Sequence, residues 1–102
     1  MSADTEIDER LLLLWPEDNV LVAKTALAAG ISLRIDGVNV TLPQPLALGH
    51  KIARIEIEPG AVVFKYGAPI GVSTQHIARG EHVHVHNVQS RYTRTHLIEE
   101  PS

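Results

Sequence analysis

A chain of 102 residues with 44% hydrophobic and 21% charged side chains has the composition of one small globular domain. Its net charge of −3 argues against a nucleic-acid-binding surface, and the lack of cysteine excludes disulfides, thiolate ligands and a cysteine nucleophile. The acidic start lacks the basic region of a secretory signal and no apolar run approaches the ~20 residues of a membrane span, so the expected location is the cytoplasm, with no membrane partner.

Residues 1–10 read as an acidic, poorly ordered lead-in, with Asp4, Glu6, Asp8 and Glu9 before Leu11. The domain proper is expected over residues 11–89. Leu11–Trp15 is a short apolar run that suits a buried strand ending at Pro16. Trp15 is expected in the core or at an interface. From Val20 to Gly30 the apolar positions 20, 21, 23, 26, 27 and 28 are closer to helical than to alternating spacing. This predicts one helix near residues 19–29, capped by Asp18 or Asn19 and stopped at Gly30.

Strand signals follow. Ile31, Leu33 and Ile35 alternate with polar residues, Asp36-Gly37 is a strong hairpin turn, and Val38, Val40 and Leu42 alternate on the return. "PQPLALGH" must be an irregular crossing. "KIARIEI", "AVVFKYG" and "HVHVHN" supply further short strands, so the chain is mainly β. "IEPGAVV" and "IARGEHV" share Ile-x-x-Gly-x-x-Val, in which glycine closes a tight turn and the aliphatic residues fill the core. Residues 90–102 read as a tail or linker. A domain this small buries only roughly 60–65% of its unfolded surface, which favours a partner subunit or a homo-oligomer.

"GEHVHVHN" (Gly80–Asn87) is the most unusual stretch. On a strand, His82, His84 and His86 share one face and Val83 and Val85 the other. Same-face Cβ atoms are roughly 6.5–7 Å apart, so all three histidines cannot close on one ion. A metal would need a ligand from elsewhere, and His50 and His76 are available. No C-x-x-C or H-E-x-x-H pattern is present. Spacing alone favours a solvated polar strand face over a site. "GHK" (Gly49–Lys51) reads as a surface turn. Lys65 reads as a surface charge and Tyr66 as an amphipathic strand residue. Phe64-Lys65-Tyr66 matches neither the biotin nor the lipoyl attachment context. "GAPIG" has no nucleotide-binding pattern.

The ordered set "DNV" (18–20), "GHKIA" (49–53), "KYGAPIG" (65–71) and "GEHVHVHN" (80–87) resembles the SAF domain of the altronate/galactarate dehydratase family. The similarity spans Leu11 to Asn87. It implies a SAF-type β-clip fold and a small subunit or N-terminal domain of a sugar-acid or hydroxy-acid dehydratase, completed by a large catalytic subunit. It also implies a divalent metal, iron(II) or manganese, and a small hydroxy-acid substrate. The family has a sulfolactate sulfo-lyase branch, and SAF-like domains also serve as non-catalytic carbohydrate- or protein-binding modules. Carried onto this chain, the motifs mark His84, His86 and Lys65 as catalytic, with His84 and His86 as metal ligands. His50, Lys51, Tyr66 and Asn87 are marked as substrate-binding. His82 falls at a permissive position and ranks lower.

Overall fold

The computed structural model describes residues 6–90; residues 1–5 of the expected lead-in and 91–102 of the expected tail lie outside the described residues. Nine short strands follow in chain order: β1 (Leu11–Leu12), β2 (Val20–Ala23), β3 (Ser32–Ile35), β4 (Val38–Thr41), β5 (Lys51–Ala53), β6 (Val62–Lys65), β7 (Ala68–Ser73), β8 (His82–Val83) and β9 (Val88–Gln89). All strand pairs are antiparallel. They form a four-stranded sheet β1-β2-β5-β8, a hairpin β3-β4 and a three-stranded sheet β6-β7-β9. The chain is mainly β, as the alternating segments and the Asp36-Gly37 turn imply.

The helix expected near residues 19–29 does not form: β2 and an irregular loop take its place. The cause is burial on both faces. β2 runs between β1 and β5, with Leu21 and Ala23 in one hydrophobic cluster and Val20 in the other. β5 does the same, with Ile52 in the first cluster and Ala53 in the second. A strand buried on both faces loses its alternation, so its apolar spacing imitates a helix. β1 is also shorter than the expected Leu11–Trp15 strand, and Trp15 is 48% exposed.

The repeat seen twice in the sequence occurs four times in the fold. Leu27, Leu46, Ile57 and Ile77 are buried, and each is followed three residues later by Gly30, Gly49, Gly60 or Gly80 with φ between +83° and +90°. In the last three copies the residue after glycine donates its N–H back across the turn: His50 to Ala47, Ala61 to Glu58 and Glu81 to Ala78. Positive φ at the third turn position is the type II geometry that favours glycine. Three residues past each glycine comes a buried aliphatic, Leu33, Ile52, Val63 or Val83. The copies join in pairs, Leu27 to Leu46 and Ile57 to Ile77. Glycine bonds also correspond: Gly30 donates to Leu42 O as Gly60 does to Ser73 O, and Gly49 to Ala23 O as Gly80 does to Ala53 O. Residues 50–80 thus repeat the plan of residues 20–49.

Each half carries one tight hairpin with positive φ at both central residues: Asp36 (50°) with Gly37 (79°), and Tyr66 (61°) with Gly67 (75°). Tyrosine is unusual there, and the buried Asp18 explains how it is held. Asp18 Oδ2 accepts the Tyr66 N–H at 2.7 Å and Oδ1 the Gly67 N–H at 2.8 Å. Asn19 pairs with the edge of β6, accepting from Phe64 N–H and donating to Val62 O. Asp18 and Asn19 are therefore hairpin braces, not helix caps. The lead-in is tied down from Glu6 onward: Asp8 N–H donates to Arg34 O, Gly37 N–H donates to Glu6 O, and Ile7 packs on the core.

Candidate metal centre

β5 and β8 set Lys51 opposite Val83 and Ile52 opposite His82. Opposite residues of an antiparallel pair share a face. His50 immediately precedes β5 and His84 immediately follows β8, so the pairing of these strands brings His50, His82 and His84 together. The Gly49 turn delivers His50 to the start of β5.

The three imidazoles stack. Ring centroids are 5.2 Å apart for His50–His82, 5.4 Å for His50–His84 and 5.3 Å for His82–His84. His50 Nδ1 lies 3.1 Å from His82 Nε2, and one ligand nitrogen of each ring lies within 4.8 Å of the others. Metal–nitrogen bonds of about 2.0–2.1 Å place neighbouring ligand atoms roughly 3.0–3.4 Å apart. The His50–His82 nitrogen pair already has that spacing. Three imidazoles without thiolate or carboxylate suit iron, zinc, nickel or copper, so the residues present fit a metal. Burial pushes the His82 pKa down, and the neighbouring His50, His84, His86 and Lys51 push it the same way. Both favour the neutral imidazole that coordination requires.

The strand expected over 82–86 stops at Val83. Asn87 is the reason. It is 3% exposed, its Oδ1 accepts the His84 N–H at 2.9 Å, and its Nδ2 donates to His82 O at 2.8 Å. Its own N–H donates to His84 O, closing a turn. Val85, expected in the core, is therefore 79% exposed. Asn87, read as substrate-binding from the motif, has both ends of its amide bonded to this loop and holds His82 and His84 in place. His86 stays outside the trio, its ring tilted by 41° at 5.6 Å from His82. Of the expected ligand pair, His84 joins the cluster and His86 does not, while His82, ranked lower, sits at its centre.

Two cavities adjoin the trio. One, of about 260 Å³, is lined by Lys51 and His84 with Ile70, Val83, Val85 and Val88. Burial lowers the Lys51 pKa, and the positive charge of Lys65 lowers it further. The two lysines expected at the site are thus close enough to repel. The other cavity, of about 90 Å³, is polar and lined by Gln44, Gln75, Glu81, His82 and His86 over Asn87. Neither glutamine nor Glu81 was singled out by sequence. The available signal was positional: Gln44 and Gln75 each stand two residues before a bridging aliphatic, Leu46 or Ile77. Tyr66 is 66% exposed, and its ring meets Trp15 edge-on at 5.7 Å. A second possible ligand group, Glu56, Glu58 and His76, is exposed, with His76 Nε2 paired to Glu56 Oε2 at 2.6 Å.

The altronate/galactarate dehydratase SAF domain family matches residues 9–91. An altronate dehydratase of Escherichia coli is 50% identical over 80 residues, 78% of this chain and 15% of that protein. An altronate dehydratase of Bacillus subtilis is 38% identical over 81 residues, 79% of this chain and 16% of that protein. A (2R)-sulfolactate sulfo-lyase subunit alpha of Chromohalobacter salexigens is 44% identical over 46 residues, 45% of this chain and 49% of that subunit. The chain therefore spans a small fraction of the dehydratases it matches. Among the described residues no helix is long and apolar enough to cross a membrane.

Proposed function

The chain belongs to the altronate/galactarate dehydratase SAF domain family, and on that premise we propose that it forms the metal-holding part of a hydroxy-acid lyase active site shared with a larger catalytic chain or domain. The observation that carries this reading is the convergence of His50, His82 and His84 within 4.8 Å.

Dehydration of a 2,3-dihydroxy acid removes the α-proton, breaks the β-carbon–oxygen bond and releases water, leaving an enol that becomes the 2-keto-3-deoxy acid. A bound iron(II), which imidazole ligands suit, would supply Lewis-acid polarisation of the substrate oxygens. His50, His82 and His84 are the residues that would hold it. Asn87 fixes the loop that presents two of them. His86 lies beside the cluster, and as an imidazole it can carry a proton near neutral pH. The Lys51 and Lys65 side chains supply the positive field that attracts an anionic substrate.

The part-length match to a sulfo-lyase subunit supports a second reading, in which the departing group is sulfite. Both readings share the metal set and the α-proton step.

The test is metal uptake under anaerobic conditions by the full chain carrying His76→Gln, which disables the exposed second cluster. One Fe(II) or Zn(II) per chain is expected. His50→Ala, His82→Ala and His84→Ala should each weaken binding at least about tenfold, as loss of a ligand exceeds the roughly 10–100-fold effect of a supporting residue. His86→Ala should leave affinity within about threefold. Equal affinity for all four variants would refute the trio as the centre.

A further inference from the structure

We propose that the cavity beside Lys51 is a binding site for a short aliphatic carboxylate, with the charged end at the Lys51 ammonium and the hydrocarbon tail against Ile70, Val83 and Val88. The cavity lies where two sheets meet. Lys51 and Val83 come from β5 and β8 of the four-stranded sheet, Ile70 and Val88 from β7 and β9 of the three-stranded one. Its walls belong to the core: Val83 is fully buried, and Ile70 and Val88 pack against the same hydrophobic cluster. Gly71 lets the far wall close up, because a Cβ there would come 2.8 Å from Val88 Cγ1. The tail site is thus built by strands, and only its rim, with His84 and Val85, is exposed.

The lining selects the class of ligand. Lys51 stands opposite Val83 in the β5–β8 register, which lays its half-buried stem along the apolar wall. No carboxylate lines the cavity, and among the described residues none pairs with Lys51. A half-buried ammonium without a counter-charge is matched by a carboxylate from outside the chain. The volume of about 260 Å³ exceeds the roughly 150 Å³ of an apolar cavity that takes up benzene, so a tail of several methylenes fits. A polyol tail would set its hydroxyls against aliphatic walls, desolvated and unbonded. The cavity therefore favours a hydrocarbon-tailed acid over a sugar acid. It needs no metal, so it stands apart from the metal reading above. On the hydroxy-acid reading, such a ligand neutralises Lys51 and opposes capture of the substrate.

The experiment follows the methyl signals of the full 13C-labelled chain in the presence of EDTA. Acetate, propionate, butyrate and pentanoate are titrated, with gluconate as the polyol control and butylamine as the cationic one. The acids should produce saturable shifts of the Ile70, Val83, Val85 and Val88 methyls. Each added methylene should tighten binding roughly three- to fourfold, the effect of burying one such group. Gluconate and butylamine should not saturate these signals. Lys51→Met should weaken pentanoate binding about tenfold or more, the loss of a charge-assisted contact. Lys24→Met, at a lysine that does not line the cavity, should leave it unchanged. Affinity that is indifferent to chain length, or that survives Lys51→Met, would overturn the site. Pentanoate that acts only after one equivalent of Zn(II) is added, and then on the signals of His50, His82 and His84, is a ligand of the metal: this inference then falls and the metal reading stands.

Discussion

Asn87 shows how much a single buried side chain decides. Its two amide bonds to the His82 and His84 backbone close the turn that ends β8 at Val83. The motif placed Asn87 in the site, but its role depends on burial, which spacing does not reveal. The histidines carry a testable electrostatic difference. Burial, with help from nearby positive groups, lowers the His82 pKa, whereas the hydrogen bond to Glu56 raises that of His76. In a metal-free NMR titration, His76 should lose its proton at the higher pH and His82 at the lower. The stability consequences have opposite signs. The raised His76 contributes stability that is full below the unfolded value near 6.5 and lost as pH rises through its folded pKa. The depressed His82 contributes stability that is full above that value and lost as pH falls toward its folded pKa. The reverse titration order would show that the cluster is not packed as described.

At the scale of elements, the fold rests on four copies of one turn. Two were legible because both have isoleucine and valine at the anchoring positions, in Ile57–Val63 and Ile77–Val83. The other two, Leu27–Leu33 and Leu46–Ile52, were obscured by alanine-rich and proline-rich surroundings that resemble a helix and a loop. The glycines of these turns are not equivalent. A Cβ on Gly30 meets nothing within 4 Å, whereas one on Gly80 comes 2.5 Å from Val40 Cγ1. Both have positive φ, of 87° and 90°. Gly30→Ala should therefore cost only the left-handed conformation, about 1–2 kcal/mol, while Gly80→Ala should cost more because Val40 must also move. Urea unfolding of the two variants measures the difference; equal losses would mean that the contact relaxes freely. Gly80 also precedes the histidine loop, so its replacement should weaken metal uptake, whereas replacement of Gly30 should not.

Across the whole molecule, Arg54 and Asp18 join the two halves. Arg54 pairs with Asp36 at the first hairpin, at 3.0 Å, and donates to the carbonyls of Pro16 and Asp18. Asp18 in turn braces the second hairpin at Tyr66 and Gly67. Arg54→Lys retains the charge but loses the planar fork that serves these partners together. It should lower stability by about 1–3 kcal/mol, visible as a lower melting temperature; an unchanged one would show that the link between the halves is dispensable. Much about this protein was determined by sequence alone. Period-two alternation, the Asp36-Gly37 turn and the Ile-x-x-Gly repeat dictate a mainly β chain, and four ordered motifs identify the family, because these are local signals written in neighbouring residues. Only the tertiary structure decided that residues 20–23 are a central strand, since burial on both faces erases the alternation that would reveal it. Only the tertiary structure moved His82 to the centre of the cluster and gathered Gln44, Gln75 and Glu81 at its side. His50 reaches His82 and His84 through the pairing of β5 with β8, and contacts set by strand register across some thirty residues have no spacing rule from which to be read.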